Sequence, residues 1–345
     1  MMTKNNNILP AVMALLIFLS AGCIREPAPQ DSAVQSAEMI HEQITAAPDT
    51  EGPAVYQYTF DPHVISSEYL QIFGNDIETD FYTLCDAVLS VDDSFPCRSD
   101  ERFHQLLSIS SFCFPPAREL IDPERTYTDN GTCYLSYRFD ASETKEKLMA
   151  FQKKVTEVIT EAVPYEEPDH VKAMELYTAV ARKDTYDDSY TLEDSLKIRS
   201  YRAVMTDTGI CQEIAAEYIY YLLQTGIDAI PCSALNADQS EAHVWALVNL
   251  DGKYYHVDPT YATQYPDSLF FFGLDDKQRS YYGDFPSGQF SYAESDRLRA
   301  EQCKADDRRF VKYWLAENYE IDHTKKTITV TDHNTGERSE YSFEE

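Results

Sequence analysis

Apolar and polar positions switch along this chain between a helical period and a two-residue alternation, and most predicted elements follow from where the switch falls. Residues 8–19 are an apolar run behind the positive Lys4, too short to span a bilayer as a mature helix, and Ser20-Ala21-Gly22 precede Cys23. That is the pattern of an export signal with a processing site. Residues 24–53 scatter Pro, Gln, Ser, Ala and Glu with almost no aromatic content, a composition that reads as a flexible tether. Residues 55–60 alternate as a strand does, whereas 69–73 and 81–89 have helical spacing. A strand over 132–139 follows the turn signal Asp129-Asn130-Gly131. Helices are predicted over 142–163, stopped by Pro164, and over 171–182. Farther on come an apolar strand at 268–272, a helix over 309–318, and strands 327–330 and 339–343 around a turn at Asn334-Thr335-Gly336.

The stretch from 207 to 261 carries the chemistry. Thr206-Asp207-Thr208 precede a helical stripe of Cys211, Ile214, Ala215, Tyr218 and Leu222, closed by Gly226. Cys211 therefore sits in the first turn, on the inward face. There the positive end of the helix dipole and unpaired N–H groups favour a thiolate and suit an oxyanion. A buried core cysteine would give the same stripe. Residues 244–250 and 253–258 flank Asp251-Gly252, a strong hairpin signal. A two-residue turn there sets Leu250 opposite Lys253 and Trp245 opposite Asp258. His243, Trp245, Leu247 and Asn249 then share a face with Tyr254, His256, Asp258 and Thr260. His243 becomes the diagonal neighbour of Asp258, and a one-residue slip would separate them.

Three blocks, Gly209-Ile210-Cys211-Gln212-Glu213-Ile214-Ala215, Glu241-Ala242-His243-Val244-Trp245 and the run from Leu250 to Tyr261, resemble the transglutaminase-like core. Leu222 to Ile227, between the first two, matches as well, and with its flanking elements the likeness extends over residues 150–290. The resemblance implies an α+β papain-like (transglutaminase-like) fold, in which a helix bearing the Cys packs on an antiparallel sheet bearing the His and Asp. It implies Cys211 as nucleophile, His243 as base and then acid, and Asp258 as the group that orients the imidazole. The chemistry implied is acyl transfer through a thioester, resolved by water or by an amine, with no metal and no cofactor. Thr208, Val244 and Ala246 depart from the commonest residues of the pattern, and Met205 stands where papain-type enzymes place a glutamine. Tyr201 is the candidate side-chain oxyanion donor. Small residues directly before Cys23 likewise resemble the lipobox of bacterial lipoproteins. This implies Cys23 as the lipidation site and a cell-membrane, extracytoplasmic location, although Ser20 departs from the usual Leu. An ordinary secretory signal is the competing reading.

Composition narrows the partners. With 29 Lys and Arg against 59 Asp and Glu, the formal charge is −30, which argues against nucleic acid and against a basic membrane-docking patch. Membrane contact is thus expected through the N-terminal lipid only. The domains read as a signal at 1–22, a lipidated tether at 23–53 and a small α+β unit at 54–145. The catalytic domain follows at 146–290, and 291–345 supply a closing helix and hairpin. The expected function is a surface thiol enzyme acting on peptide or glutamine-type amides of extracellular protein or cell wall, with hydrolysis slightly favoured over cross-linking. The alternative is a non-catalytic surface binding or adhesion module that retains the fold. Cys85, Cys97, Cys113, Cys133, Cys232 and Cys303 leave their disulfide pairing open, and no Cys/His spacing suggests zinc.

Overall fold

The helix that opens with Cys211 is wrapped on every side, and the remaining elements are arranged around it. The computed structural model describes residues 52–189, 200–293 and 302–344. The predicted signal segment, Cys23 and the tether as far as residue 51 lie outside the described residues. In chain order the first part comprises α1 (Ser67–Phe73), α2 (Asp76–Ser90), β1 (Ser94–Pro96), α3 (Asp100–Cys113), α4 (Pro115–Leu120), β2 (Tyr127–Asp129) and β3 (Thr132–Tyr134). Two longer helices follow, α5 (Ala141–Ala162) and α6 (Asp169–Lys183), then β4 (Thr185–Tyr186), α7 (Ser200–Thr206), β5 (Thr208–Gly209) and the Cys211 helix, α8 (Cys211–Gln224). Beyond it lie β6 (Ala229–Leu235), β7 (Ala242–Leu250), β8 (Lys253–Val257), α9 (Pro259–Ala262), α10 (Asp276–Tyr281), β9 (Ser291–Tyr292) and the strands β10 (Ala316–Asp322), β11 (Thr327–Asp332) and β12 (Arg338–Ser342).

Local sequence explains the long helices. Asp140 caps α5 by accepting from the N–H groups of Ser142 and Glu143 at 2.9 and 3.0 Å. Ser99 caps α3 through Arg102 N–H at 3.1 Å. Within α8 no glycine or proline interrupts the run, and Gly226 ends it with φ at 80°. Every residue of α8 from Glu213 to Gln224 is buried. A helix apolar nearly all round belongs inside a core, and its two carboxylates are paired, Glu213 with Arg202 and Glu217 with Lys183 at 2.9 Å.

One face of α8 lies on β6 and β7, while α3, α6 and α7 cover the others. The four-stranded sheet has the order β8-β7-β6-β9 and is antiparallel throughout. Asp251 and Gly252 turn with φ of 56° and 76°, the paired left-handed conformation of a tight type I′ hairpin. The register runs from Leu250 opposite Lys253 to Ala246 opposite Val257, as the turn signal predicts. Smaller sheets flank this unit, in the orders β1-β3-β2 and β10-β11-β12.

Several expected elements take another form. Residues 55–60 make no strand beyond an isolated bridge between Val55 and Tyr165; the α8-end side chain Gln224 accepts instead from the Tyr58 hydroxyl and the Asp61 N–H. Residues 268–272 form a turn, closed by Phe272 N–H on the Leu269 carbonyl at 3.1 Å. The helix expected over 309–318 is a short 3-10 turn, Arg309–Tyr313, before β10, because 318–321 alternate in burial as a strand does after a bulge. The strand expected over 132–139 stops at Tyr134. Five helices, α3, α4, α7, α9 and α10, form where the sequence pattern predicts none. The predicted boundary at 145/146 falls inside α5, and residues before and after it contribute to one hydrophobic core. The side chains of Cys85, Cys97, Cys113, Cys133, Cys232 and Cys303 are buried and unbridged.

Candidate active site

Cys211 is the first residue of α8, and three sets of contacts fix where that helix begins. Glu213 reaches back to accept from the Ile210 N–H at 3.1 Å, the carboxylate half of a capping box. Arg202 of α7 clamps the same carboxylate through Nε at 3.1 and 3.2 Å and holds Asp187 at 2.7 Å. Finally, β5 pairs in parallel with β4, and Asp187 N–H donates to the Gly209 carbonyl at 3.0 Å. A Cβ on Gly209 would come within 3.1 Å of Glu213 and 3.2 Å of Ala203, so glycine lets α7 and the α8 turn approach. The Glu213 N–H is taken by the Ile210 carbonyl at 2.9 Å, whereas those of Cys211 and Gln212 have no intrahelical acceptor and face the same end as the sulfur. Cys211 is the half-exposed cysteine of the described residues, the others being buried.

His243 comes from β7, opposite Ala234 of β6, and only 3% of it is exposed. Its Nε2 lies 2.7 Å from Asp258 Oδ2, which leaves Nδ1 as the nitrogen available to sulfur. The Cys211 side chain interacts with this imidazole. Burial alone would lower the His243 pKa; Asp258, by charge and hydrogen bond, and then Cys211 outweigh it and raise the pKa to about 9. The ring is fixed in place by Tyr261, stacked at 4.6 Å and 18°, with Phe285 at 5.7 Å and Trp245 at 5.9 Å.

Asp258 directly follows β8 and caps α9, its Oδ1 accepting from the Tyr261 N–H at 3.1 Å. Burial works to raise its pKa, but His243 and Arg279 more than offset this and hold it below the usual carboxylate range. Arg279 of α10 donates to Asp258 Oδ2 at 2.9 Å and is fully buried. No periodicity in the sequence points to it, since a lone arginine in a six-residue helix reads as surface. Its neighbour His256, on the same sheet face, is engaged elsewhere. It accepts from Trp245 Nε1 at 2.8 Å through Nδ1 and meets Asp276 through Nε2 at 2.9 Å, and burial lowers its pKa.

The sequence-predicted residues divide cleanly. The structure gathers Cys211, His243 and Asp258 at the junction of α8, β7 and β8. Tyr201 is not brought there: its hydroxyl donates to the Lys147 carbonyl at 3.1 Å and its ring stacks on Phe151 at 5.3 Å, which spends the donor between helices. Tyr186 and Tyr261 are both close enough for the charge of Cys211 to act on their phenols. Burial, then the charges of Cys211 and Glu241, push the Tyr186 phenol up to about 12, and Tyr186 remains 41% exposed on the rim. Among the described residues no group of three or more His, Cys, Asp or Glu is placed to hold a metal ion. None of their helices is long and apolar enough to cross a membrane.

A sulfur at a helix start, facing an imidazole that a buried carboxylate orients from a neighbouring strand end, is the layout of a cysteine-dependent acyl-transfer site. Residues 153–259 match the transglutaminase-like superfamily, so the chain carries a transglutaminase-like domain there. The matched span contains Cys211, His243 and Asp258, and members of that superfamily are generally cysteine-dependent enzymes. Two similar solved structures are a TGase, 14% identical over 39% of this chain and 43% of the other, and a cysteine-protease candidate from Cytophaga hutchinsonii, 10% identical over 50% and 57%. Each has a TM-score of 0.28. The chain thus spans about half the length of these structures. No curated protein matches it.

Proposed function

We propose that this protein is an exported, lipid-anchored cysteine enzyme that moves acyl groups from peptide or glutamine-type amides through a thioester on Cys211. The observation that carries the reading is the His243 imidazole, bonded through Nε2 to buried Asp258 and turned with its other nitrogen toward a half-exposed thiol at a helix start. An imidazole held protonated to about pH 9 puts a positive charge beside the sulfur.

In the first half-reaction the Cys211 thiolate attacks the amide carbonyl, and first-turn N–H groups of α8 receive the oxyanion. The tetrahedral adduct expels the amine, which takes the proton from His243 Nδ1, leaving a thioester. In the second, neutral His243 removes a proton from water or an amine, which attacks the thioester. Acid or amide departs, and the proton ends on His243 beside a regenerated thiolate. Asp258 keeps the ring in the reactive tautomer throughout. Hydrolysis is favoured slightly over amine transfer. Extracytoplasmic placement follows from the signal pattern and Cys23, which lie outside the described residues.

Incubating the protein with a peptide library, with and without a primary amine, and reading products by mass spectrometry tests this directly. Free acid in both conditions identifies a hydrolase, and amine adducts alone identify a cross-linking enzyme. Products that persist in Cys211→Ala, or no turnover together with no Cys211 labelling by a thiol-directed acyl probe, would reject the enzyme and leave a binding module.

A further inference from the structure

We infer that Arg279 is a positioning residue for this site: a buried cation that shares Asp258 with the imidazole and thereby sets how long the thiolate–imidazolium pair survives as pH rises. The inference rests on the proposed thiol chemistry and deepens it.

The geometry is specific. Arg279 Nη2 and His243 Nε2 converge on one atom, Asp258 Oδ2, at 2.9 and 2.7 Å. Two cations on a single carboxylate oxygen compete, because each reduces the negative potential that the other feels. A guanidinium cannot give up its proton to relieve the competition, whereas an imidazolium can. Arg279 is also pinned from other directions. Its Nη1 donates to the Tyr282 carbonyl at 2.8 Å, and its central carbon lies 3.8 Å from the Trp245 ring, 5.1 Å from Phe285 and 5.5 Å from Tyr261. Trp245, Phe285 and Tyr261 are the same rings that stack on His243, so arginine and histidine occupy one aromatic cage around the aspartate. A buried ion pair kept for stability alone gains little over an apolar replacement; placed on the carboxylate that orients the base, it acts on that base's charge.

Other titratable groups face this cage from every element packed on it. Cys211 comes from α8, Tyr177 from α6, Cys232 from β6, Tyr261 from α9 and Glu241 from the start of β7. His256, Asp275 and Asp276 stand behind Arg279. Apart from the two histidines these groups are neutral or anionic, so Arg279 is the permanent cation named at the cage, and its removal has a defined sign. Without it His243 holds its proton to higher pH.

Alkylation of Cys211 by iodoacetate reads this without any substrate. The anion reacts fastest while thiolate and imidazolium coexist, so rate against pH is a bell whose alkaline limb follows loss of the His243 proton. In Arg279→Met and Arg279→Gln that limb moves up by about one pH unit, and in Arg279→Lys it stays where the wild type has it. Gln keeps a donor for Asp258 and carries the test if Met prevents folding, with folding checked by near-ultraviolet circular dichroism. A folded neutral variant with the wild-type limb, or an equal shift in Arg279→Lys, overturns the role. A wild-type rate that only climbs, as for an ordinary thiol, instead overturns the thiol–imidazole pair, and with it this inference.

Discussion

Replacing His243 by glutamine tests the electrostatics of the site through stability rather than through turnover. His243 is raised from 6.5 to about 9 in the folded protein, against burial, chiefly by Asp258. A histidine with a raised folded-state pKa binds its proton more tightly folded than unfolded. Its contribution is therefore fully present below the unfolded value and is lost as pH climbs through the folded one. The window runs from pH 6.5 to about 9. Each tenfold gain in proton affinity is worth about 1.4 kcal/mol, so the loss across that window is about 3 kcal/mol. Other groups titrate in the same window, Glu175 among them, and their effects cancel when His243 and His243→Gln are compared on a Cys211→Ala background, which removes the thiol that acts on the imidazole. Equilibrium urea denaturation at about pH 6 and about pH 10 is the assay. The protein with His243 is expected to lose about 3 kcal/mol more than the one with glutamine, a difference of about 1 M in urea midpoint. Equal pH dependence in the two proteins would refute the argument, since it would mean that the imidazole is not held protonated by Asp258.

Three further outcomes are expected. Asp258→Asn should cut kcat about 10²–10⁴-fold with KM little changed, measured by steady-state turnover, because asparagine cannot compensate the imidazolium. Glu175→Gln should stabilise the protein by about 4 kcal/mol at pH 8 and by almost nothing at pH 4. Burial and then Glu167 raise Glu175 to about 8, so folding forces it to stay protonated where the unfolded chain would ionise; a denaturation series from pH 4 to 8 checks the slope. Gly273→Ala should lower stability by about 2–3 kcal/mol, read as a fall in Tm. Gly273 has φ at 66° and an added Cβ would sit 2.6 Å from Phe310.

What the sequence shows and hides follows from the range of the forces involved. Asp251-Gly252 dictates its own turn, the turn dictates register, and the register delivers His243 beside Asp258, so that half of the site is local and legible. The α8 stripe is legible for the same reason, since its period survives in the chain. Arg279 is not, because its role is created by Trp245, Phe285 and Asp258 arriving from other elements, and nothing within its own helix announces burial. Tyr201 shows the reverse error. Its place shortly before Cys211 suggests a donor, yet Phe151 and the Lys147 carbonyl on α5 claim the ring and hydroxyl. At 268–272 apolar content suggests a strand, but five apolar or small residues can equally fill a turn when Gly273 supplies the left-handed step.

The enclosure of α8 has a consequence for how this protein can be altered. Tyr220, at its far side, is fully buried with Tyr58, Cys85 and Cys113 among its neighbours, residues well outside the matched span. A shortened chain starting near residue 146 would keep all three reactive side chains yet strip the backing from the rod that aims the sulfur. Substitutions in the first part of the chain therefore reach Cys211 from behind, and the setting of its thiol can be altered there without touching His243 or Asp258.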